Sequence, residues 1–253
     1  MARGARRPRP GAAGGRGSIG AVSSGVARRE PGAAGTGRVG RPRTRAGAGS
    51  GRTPRQEILD AAAALFGESG YAATSTRAIA ERVGIRQASL YYHFAGKDEI
   101  LRELLEASVR PTLDVADALR SAAADPAAAL HALVVVDVGT LLAGPLGVAA
   151  LYVVPEVRQP RFEVFRDHRR RLLAVYAALA ADLVPAGHPV EPAVLGHACL
   201  HLVEMAPSLP PTPGLAAQVA AACLGAVGVT GERAAAAARD GDRVRRAVVP
   251  PGA

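Results

Sequence analysis

Between Thr74 and Leu101 the chain reads TSTRAIAERVGIRQASLYYHFAGKDEIL, and its polar residues fall where one face of a short helix would project them together. Arg86, Gln87, Ser89, Tyr92 and His93 are hydrogen-bond donors spread over two helical turns, and several also accept. Such side chains suit the phosphate oxygens and base edges of a nucleic-acid duplex. The apolar positions between them point the other way: Ile85 and Leu90 anchor the helix to a core, and Ile79 and Val83 anchor a preceding one. Ala80 is small where the two helices must cross closely, and Gly84 stands where the chain reverses and a positive φ is needed. The spacing therefore predicts two short helices joined by a tight turn, a helix-turn-helix that presents its second helix to DNA.

Other elements must hold that pair in place. Thr53-Pro54 is a helix-start signal, and RQEILDAAAALFGESG after it gives a helix with Ile58, Ala62, Leu65 and Phe66 on one face, ended by Gly67 or Gly70. Ser75 is the predicted N-cap of the second helix, Arg86 or Gln87 begins the third, and the third ends near Phe94. A fourth helix starts at Lys97 with Ile100, Leu101, Leu104 and Leu105 as its stripe. Beyond Arg110 the pattern stays helical and proline-punctuated, over about 112–124, 126–143, 146–154, 159–184, 191–206 and 214–230 or further. No segment alternates as a strand would, so the fold class is all-α. The expected domains are a disordered tail over 1–52, a DNA-binding head over 53–100, a helical body over 101–240 and a polar, frayed end over 241–253.

Charge is distributed unevenly over the 253 residues. The net +9 arises in residues 1–52, with twelve arginines and one acid, whereas the remainder holds 19 basic and 21 acidic residues. That tail is low in complexity and has almost no large apolar residue to bury. DNA affinity of the folded part then depends on where Arg55, Arg77, Arg82, Arg86 and Lys97 sit. Cys199 and Cys223 lack CxxC spacing and read as small buried apolar residues of a reducing cytoplasm. The N-terminus has no continuous apolar stretch of the kind a secretory signal requires. The uncharged runs Val138 to Pro155 and Met205 to Gly231 are interrupted by glycines or prolines, so buried helices explain them better than membrane spans.

No GxSxG, phosphate loop, HExxH or supported Ser/His/Asp set occurs, so neither an enzyme nor a cofactor is implied. His197, His201 and Glu204 share one helical face as metal ligands can, but one helix supplies only three ligands and no partner cluster accompanies them, so no metal is assigned. The run at 166–171, ArgAspHisArgArgArg, reads as a solvated face or an interface rim.

Residues 53–105 resemble the TetR/AcrR family of bacterial transcription regulators, through FGESGYAATS, the IAERVGI turn, LYYHF and the GKDEIL helix start in that order. The resemblance implies that Gln87, Ala88, Ser89 and Tyr91 face the major groove and that Tyr92 and His93 approach the sugar-phosphate backbone. Ser75, Thr76, Arg77 and Lys97 would clamp flanking phosphates. Two positions depart from the family's habit: Arg86 replaces a serine before the recognition helix, and Gly96 replaces a small polar cap. Arg86 is therefore either a contact to phosphate or guanine or a solvated side chain, and the Tyr91 ring either packs inward or reaches out. The resemblance further implies a homodimer on palindromic double-stranded DNA, released by a small-molecule effector, in the cytoplasm and not in a membrane. His131, Asp137, Thr140 and Tyr152 are the candidate polar points of an effector pocket, against the alternative of an ordinary buried helix pair. Small residues Ala198, Ala217, Ala221 and Gly225 on the last two expected helices suit a four-helix dimer interface. A non-specific or architectural DNA binder using the arginine tail is the competing class. VGRPRTR from Val39 resembles the way many members begin, which marks residues 1–38 as a candidate untranslated segment.

Overall fold

The computed structural model describes residues 52–145 and 147–249, and all of their regular elements are helical. The expected disorder of the tail falls outside these residues except at Arg52, which pairs with Asp60. Helix α1 (Pro54–Ser69) starts as its sequence requires: the Thr53 side chain accepts from the Gln56 amide, Pro54 occupies the first turn, and Gly70 at φ 83° ends the helix. Gly67, the other expected stop, lies inside it. Ile58, Ala62 and Phe66 are buried against α2 (Thr76–Val83), α3 (Gln87–His93) and the start of α4 (Lys97–Ala122).

The head and the body share α4. It runs 26 residues without interruption and carries Pro111 in its interior, where two separate helices were expected on either side of residue 110. Proline there lacks the N–H that would bond the carbonyl four residues back, but Ala107 and Pro111 both lie on an exposed face, where water can serve that carbonyl. The division at residue 100 therefore falls within a helix, and the apolar stripe Ile100, Leu104, Leu105, Ala116 and Leu119 is buried along its length.

The body is built around α5 (Pro126–Ala143), capped by the Asp125 carboxylate on the Ala127 amide. Its length and composition would let it cross a membrane, yet α4, α6 (Glu163–Leu183), α8 (Leu215–Ala226) and α9 (Gly231–Val248) pack around it. A core helix covered on several sides needs no polar face, which is why its sequence is apolar almost throughout. Three short 3₁₀ turns, Val148–Val153, Pro155–Arg158 and Pro160–Phe162, connect α5 to α6.

Helix α7 (Pro192–Met205) crosses α6 at a glycine: a Cβ on Gly196 would lie 2.6 Å from the Ala177 amide nitrogen. The chain after Ala226 turns at Gly228 and forms α9, so α7 and α8 are not the last helices. The polar end expected from 241 is corrected likewise, because α9 continues to Val248. Its Gly241 is buried so close to α5 that a Cβ would meet the Ala128 carbonyl at 2.7 Å and His131 Nδ1 at 2.8 Å. Alternating charge along residues 239–246 looks like a solvated end in sequence; the glycine between those charges is what lets the helix dock.

Candidate nucleic-acid interface

The turn between α2 and α3 follows from local chemistry. Ser75 accepts from the Ala78 amide at 3.1 Å and begins α2; Gly84 at φ 76° ends it, with Ile85 N–H returning to the Ala80 carbonyl at 2.9 Å. Ile79, Ala80, Leu90 and Phe94 are buried, which fixes the rotation of both helices. The opposite face of α3 then exposes Arg86, Gln87, Ala88 and Ser89, together with Tyr91 at 50% and Tyr92 at 87%.

Two of these groups, Gln87 and Tyr91, hold one another together with Thr76 of α2. Gln87 Nε2 donates to Thr76 Oγ1 at 2.9 Å and to the Tyr91 hydroxyl at 3.4 Å, and the Thr76 and Tyr91 oxygens are 3.2 Å apart. The Tyr91 ring thus reaches outward, and the start of α2 is tied to the middle of α3. An amide held this way is presented in a limited set of orientations, which favours directional recognition of a base edge. His93 is half-buried, its ring edge-on to Tyr92 at 5.3 Å.

The cations divide into braces and a free donor. Arg55 bonds Glu103 and the His93 carbonyl and lies 4.2 Å over the Phe94 ring, which locks α1 to the end of α3 and to α4. Arg77 pairs with Glu81 at 2.9 Å and Arg82 with Glu68 at 2.7 Å. Lys97, the expected phosphate clamp, is engaged within the protein. Its ammonium donates to the carbonyls of Tyr71, Ala72 and Thr74 at 2.7, 3.3 and 2.9 Å, and it lies 4.3 Å from the Tyr71 ring centroid. An ammonium has three N–H groups, and all three are engaged, so Lys97 fixes the turn that leads into Ser75. Of the five cations that bear on DNA affinity, Arg86 alone has a side chain with no hydrogen bond or ion pair to a described residue.

Sequence reasoning missed Tyr71 and Asp98. The Tyr71 ring packs edge-on to Phe66 at 5.0 Å and its hydroxyl donates to Asp98, which also pairs with Arg161 from the turn before α6. Burial, the Asp98 hydrogen bond and its charge raise the Tyr71 phenol well above its ordinary range. Nothing in residue spacing signals a partner 63 positions away. The absent polar cap at Gly96 is also compensated, because Glu99 turns back to accept the Ala95 amide at 2.5 Å.

The four candidate pocket residues meet different partners among the described residues. Asp137 is buried and accepts from the Tyr176 hydroxyl at 2.8 Å; burial pushes its carboxyl up to about 7 against the hydrogen bonds of Tyr176 and Thr112. Thr140 donates to the Val136 carbonyl, accepts from Thr112 and borders a cleft between α1, α4 and α5. Tyr152 donates to Ser108 at 2.8 Å and lines a different cleft against α6. His131 lies beside α9, its pKa lowered by burial, with Nδ1 unpartnered. The apolar run was legible, but which face of α5 each polar residue occupies depends on neighbours that contribute from 28 to 110 residues away. Cys199 and Cys223 are buried free thiols, each donating to the other's carbonyl at 3.8 and 3.7 Å across α7 and α8. Glu204 bonds Arg169 and His201, and no cluster suited to a metal occurs among the described residues.

The profile of the bacterial regulatory proteins of the tetR family matches residues 58–104, the segment that carries this geometry. The crystal structure of Mycobacterium smegmatis AmtR is 40% identical, with a TM-score of 0.68 over 79% of this chain and 98% of that one. The ketosteroid transcriptional regulator KstR2 of Mycobacterium tuberculosis is 25% identical, with a TM-score of 0.57 over 72% of this chain and 96% of that structure. In sequence, the transcriptional repressor KstR2 of the same organism is 50% identical over 58 residues, 23% of this chain and 29% of the repressor's length, so the chain matches less than a third of that repressor. With nearly the whole length of a protein 40% identical matched by this chain, and the family profile over its head, the chain belongs to the TetR family of bacterial regulatory proteins.

Proposed function

We propose that the protein is a sequence-specific DNA-binding transcription regulator of the cytoplasm, acting as a homodimeric repressor on a palindromic operator and released by a small molecule. The observation that carries this reading is the outer face of α3. Gln87, Thr76 and Tyr91 are held in a mutual network there, Ser89 and Arg86 stand free beside them, and the nearby cations are mostly neutralised by acids. A surface with few free cations contributes modestly to phosphate attraction, and oriented amides and hydroxyls contribute to base discrimination. The proposed contacts are Gln87, Ala88, Ser89 and Tyr91 to bases; Ser75, Thr76, Arg77, Tyr92 and His93 to the backbone; and Arg86 to either.

Dimerisation is supported by a second face. Val194, Ala198, His201 and Met205 of α7 and Ala217, Ala221 and Gly225 of α8 are exposed along adjoining stripes with small residues where a second copy would approach. Two heads so joined would read half-sites about one helical turn apart. The test is binding of the full chain to DNA from upstream of its own gene and to scrambled DNA across a salt series. A preference that persists as salt rises supports the regulator. Affinity that falls equally on all sequences, and is lost on removal of residues 1–51, would favour an architectural binder.

A further inference from the structure

The 3₁₀ turns before α6 and the first half of α6 enclose a cleft of about 350 Å3, a size suited to a small organic ligand. Its walls are apolar: the Tyr152 and Phe165 rings, 5.3 Å apart, with Val154, Val157 and Leu173. Val153 stands 82% exposed at the edge with its isopropyl group in water. The charged part of the lining consists of Arg158, Arg166, Arg169 and Arg170, with no acid among the lining residues. Other clefts have mixed charge, as where Asp98 and Glu99 face Arg102 and Arg161, or Asp60 and Glu103 face Arg52.

We infer that this cleft binds an amphipathic anion, a carboxylate carried on an apolar chain, and that it is the effector site of the regulator proposed above, on which reading the second half rests. The forked guanidinium matches a carboxylate through two parallel N–H donors, and the apolar chain would cover Val153 and the two rings. Arg158 is exposed and its guanidinium has no hydrogen bond or ion pair to a described residue, so its side-chain donors are available to a ligand. Arg170 shares Glu163 and Asp167 with other arginines and keeps more than half of its side chain in solvent. Arg169 is held in place by Glu204 and faces the Tyr152 ring at 5.5 Å.

The cleft is connected to the head by specific bonds. Arg166 Nη1 donates to the Val157 and Gln159 carbonyls at 2.6 and 2.8 Å, so a cleft arginine holds the turn segment. Two residues further, Arg161 pairs with Asp98 on the first turn of α4, and Asp98 takes the Tyr71 hydroxyl. A carboxylate that draws Arg166 from those carbonyls releases the segment that anchors Asp98, and with it the turn that Lys97 and Tyr71 brace.

Calorimetric titration of the full chain with decanoate tests the site, with decanol and decyltrimethylammonium as controls. Saturable decanoate binding of one per chain is expected, with decanol and the cation each at least about tenfold weaker. R158Q should weaken decanoate about tenfold. V153E places a like charge at the mouth and should abolish binding; both positions are exposed, and thermal melts of the variants will verify that the fold is intact. Absence of saturable binding, or equal affinity in both variants, overturns the site. DNA titrations with and without decanoate separate the two readings. Sequence preference without decanoate binding removes the cleft assignment and leaves the regulator. Decanoate binding without sequence preference leaves the cleft and removes the regulator, and unchanged DNA affinity at saturating decanoate overturns the effector role.

Discussion

In the head, Thr76, Gln87 and Tyr91 satisfy one another at the surface and stay open to water, whereas in the body Asp137 is 2% exposed and depends on Tyr176 of a distant helix, and His131 is 3% exposed with Nδ1 unpartnered. The two regions also differ in how closely backbones approach. The head needs glycine for its dihedral angles at Gly70 and Gly84, with open space around both positions, but the body needs glycine for contact at Gly196 and Gly241, where neighbouring atoms occupy the space of a Cβ. A binding face must keep its polar groups available, so the head builds them over a small core. The body instead buries polar groups among long helices, which makes it sensitive to pH and to added volume.

The largest expected effect is on the body. Asp137 has a carboxyl pushed up to about 7, from an ordinary value of 3.8, first by burial. The native state therefore keeps a proton that the unfolded chain loses, and stability contributed by the protonated form is full below pH 3.8 and declines as pH rises to 7. The slope corresponds to on the order of 4 kcal/mol across that window, level above it. Asp137→Asn resembles the neutral carboxyl and should flatten the slope and exceed the wild type in stability at pH 8. Urea midpoints at intervals of pH read this directly, and a parallel pH profile in the variant would remove Asp137 as the source.

Close approach predicts a slightly smaller effect. Gly196→Ala puts a methyl 2.6 Å from a backbone nitrogen of α6, so the helices must separate, at a cost of about 3 kcal/mol. Gly139 on α5 is exposed with nothing within 4 Å of a Cβ, and Gly139→Ala should stabilise by about 0.5–1 kcal/mol. Chemical denaturation of the pair measures packing against propensity, and losses of equal size would refute the distinction between contact and conformation.

How much of this was legible in sequence follows the same division. Ser75, Gly84, Leu90 and Phe94 act through neighbours within a few residues, so the head could be read from spacing, including its turn and its exposed face. The role of Lys97 was not legible, because its three carbonyl partners lie 23 to 26 residues earlier on a separate segment. In the body only the existence of most helices was legible. Asp137 meets Tyr176 across 39 residues and Gly241 meets Ala128 across more than a hundred, and helical periodicity cannot specify which face of one helix adjoins which face of another. The four candidate pocket residues are spread for that reason: from α5 and the following turn they meet different neighbours.

Within the head, the comparison sharpens into braces against readers. Lys97→Met removes three donors from the turn before α2, so it should lower stability by about 1–2 kcal/mol and weaken cognate and scrambled DNA alike. Gln87→Ala leaves the fold intact and removes an oriented amide, so it should cost about 1–3 kcal/mol on the cognate site and little on scrambled DNA. Competition titrations on both DNAs distinguish the two, and equal losses for Gln87→Ala would deny it a reading role.

The smallest effect isolates Arg86. It caps α3 by position without a side-chain hydrogen bond, so Arg86→Gln should leave the melting temperature within about 1 °C, the shift expected from a few tenths of a kcal/mol. If its guanidinium meets a phosphate, the slope of log K against log salt should become shallower by about 0.9 per head, equally on cognate and scrambled DNA. If it meets guanine, the loss is confined to the cognate site. A slope and a preference both unchanged would make Arg86 a solvated side chain, and the reading helix would then meet DNA through hydroxyls, amides and its N-terminus, with its one unpaired arginine left in water.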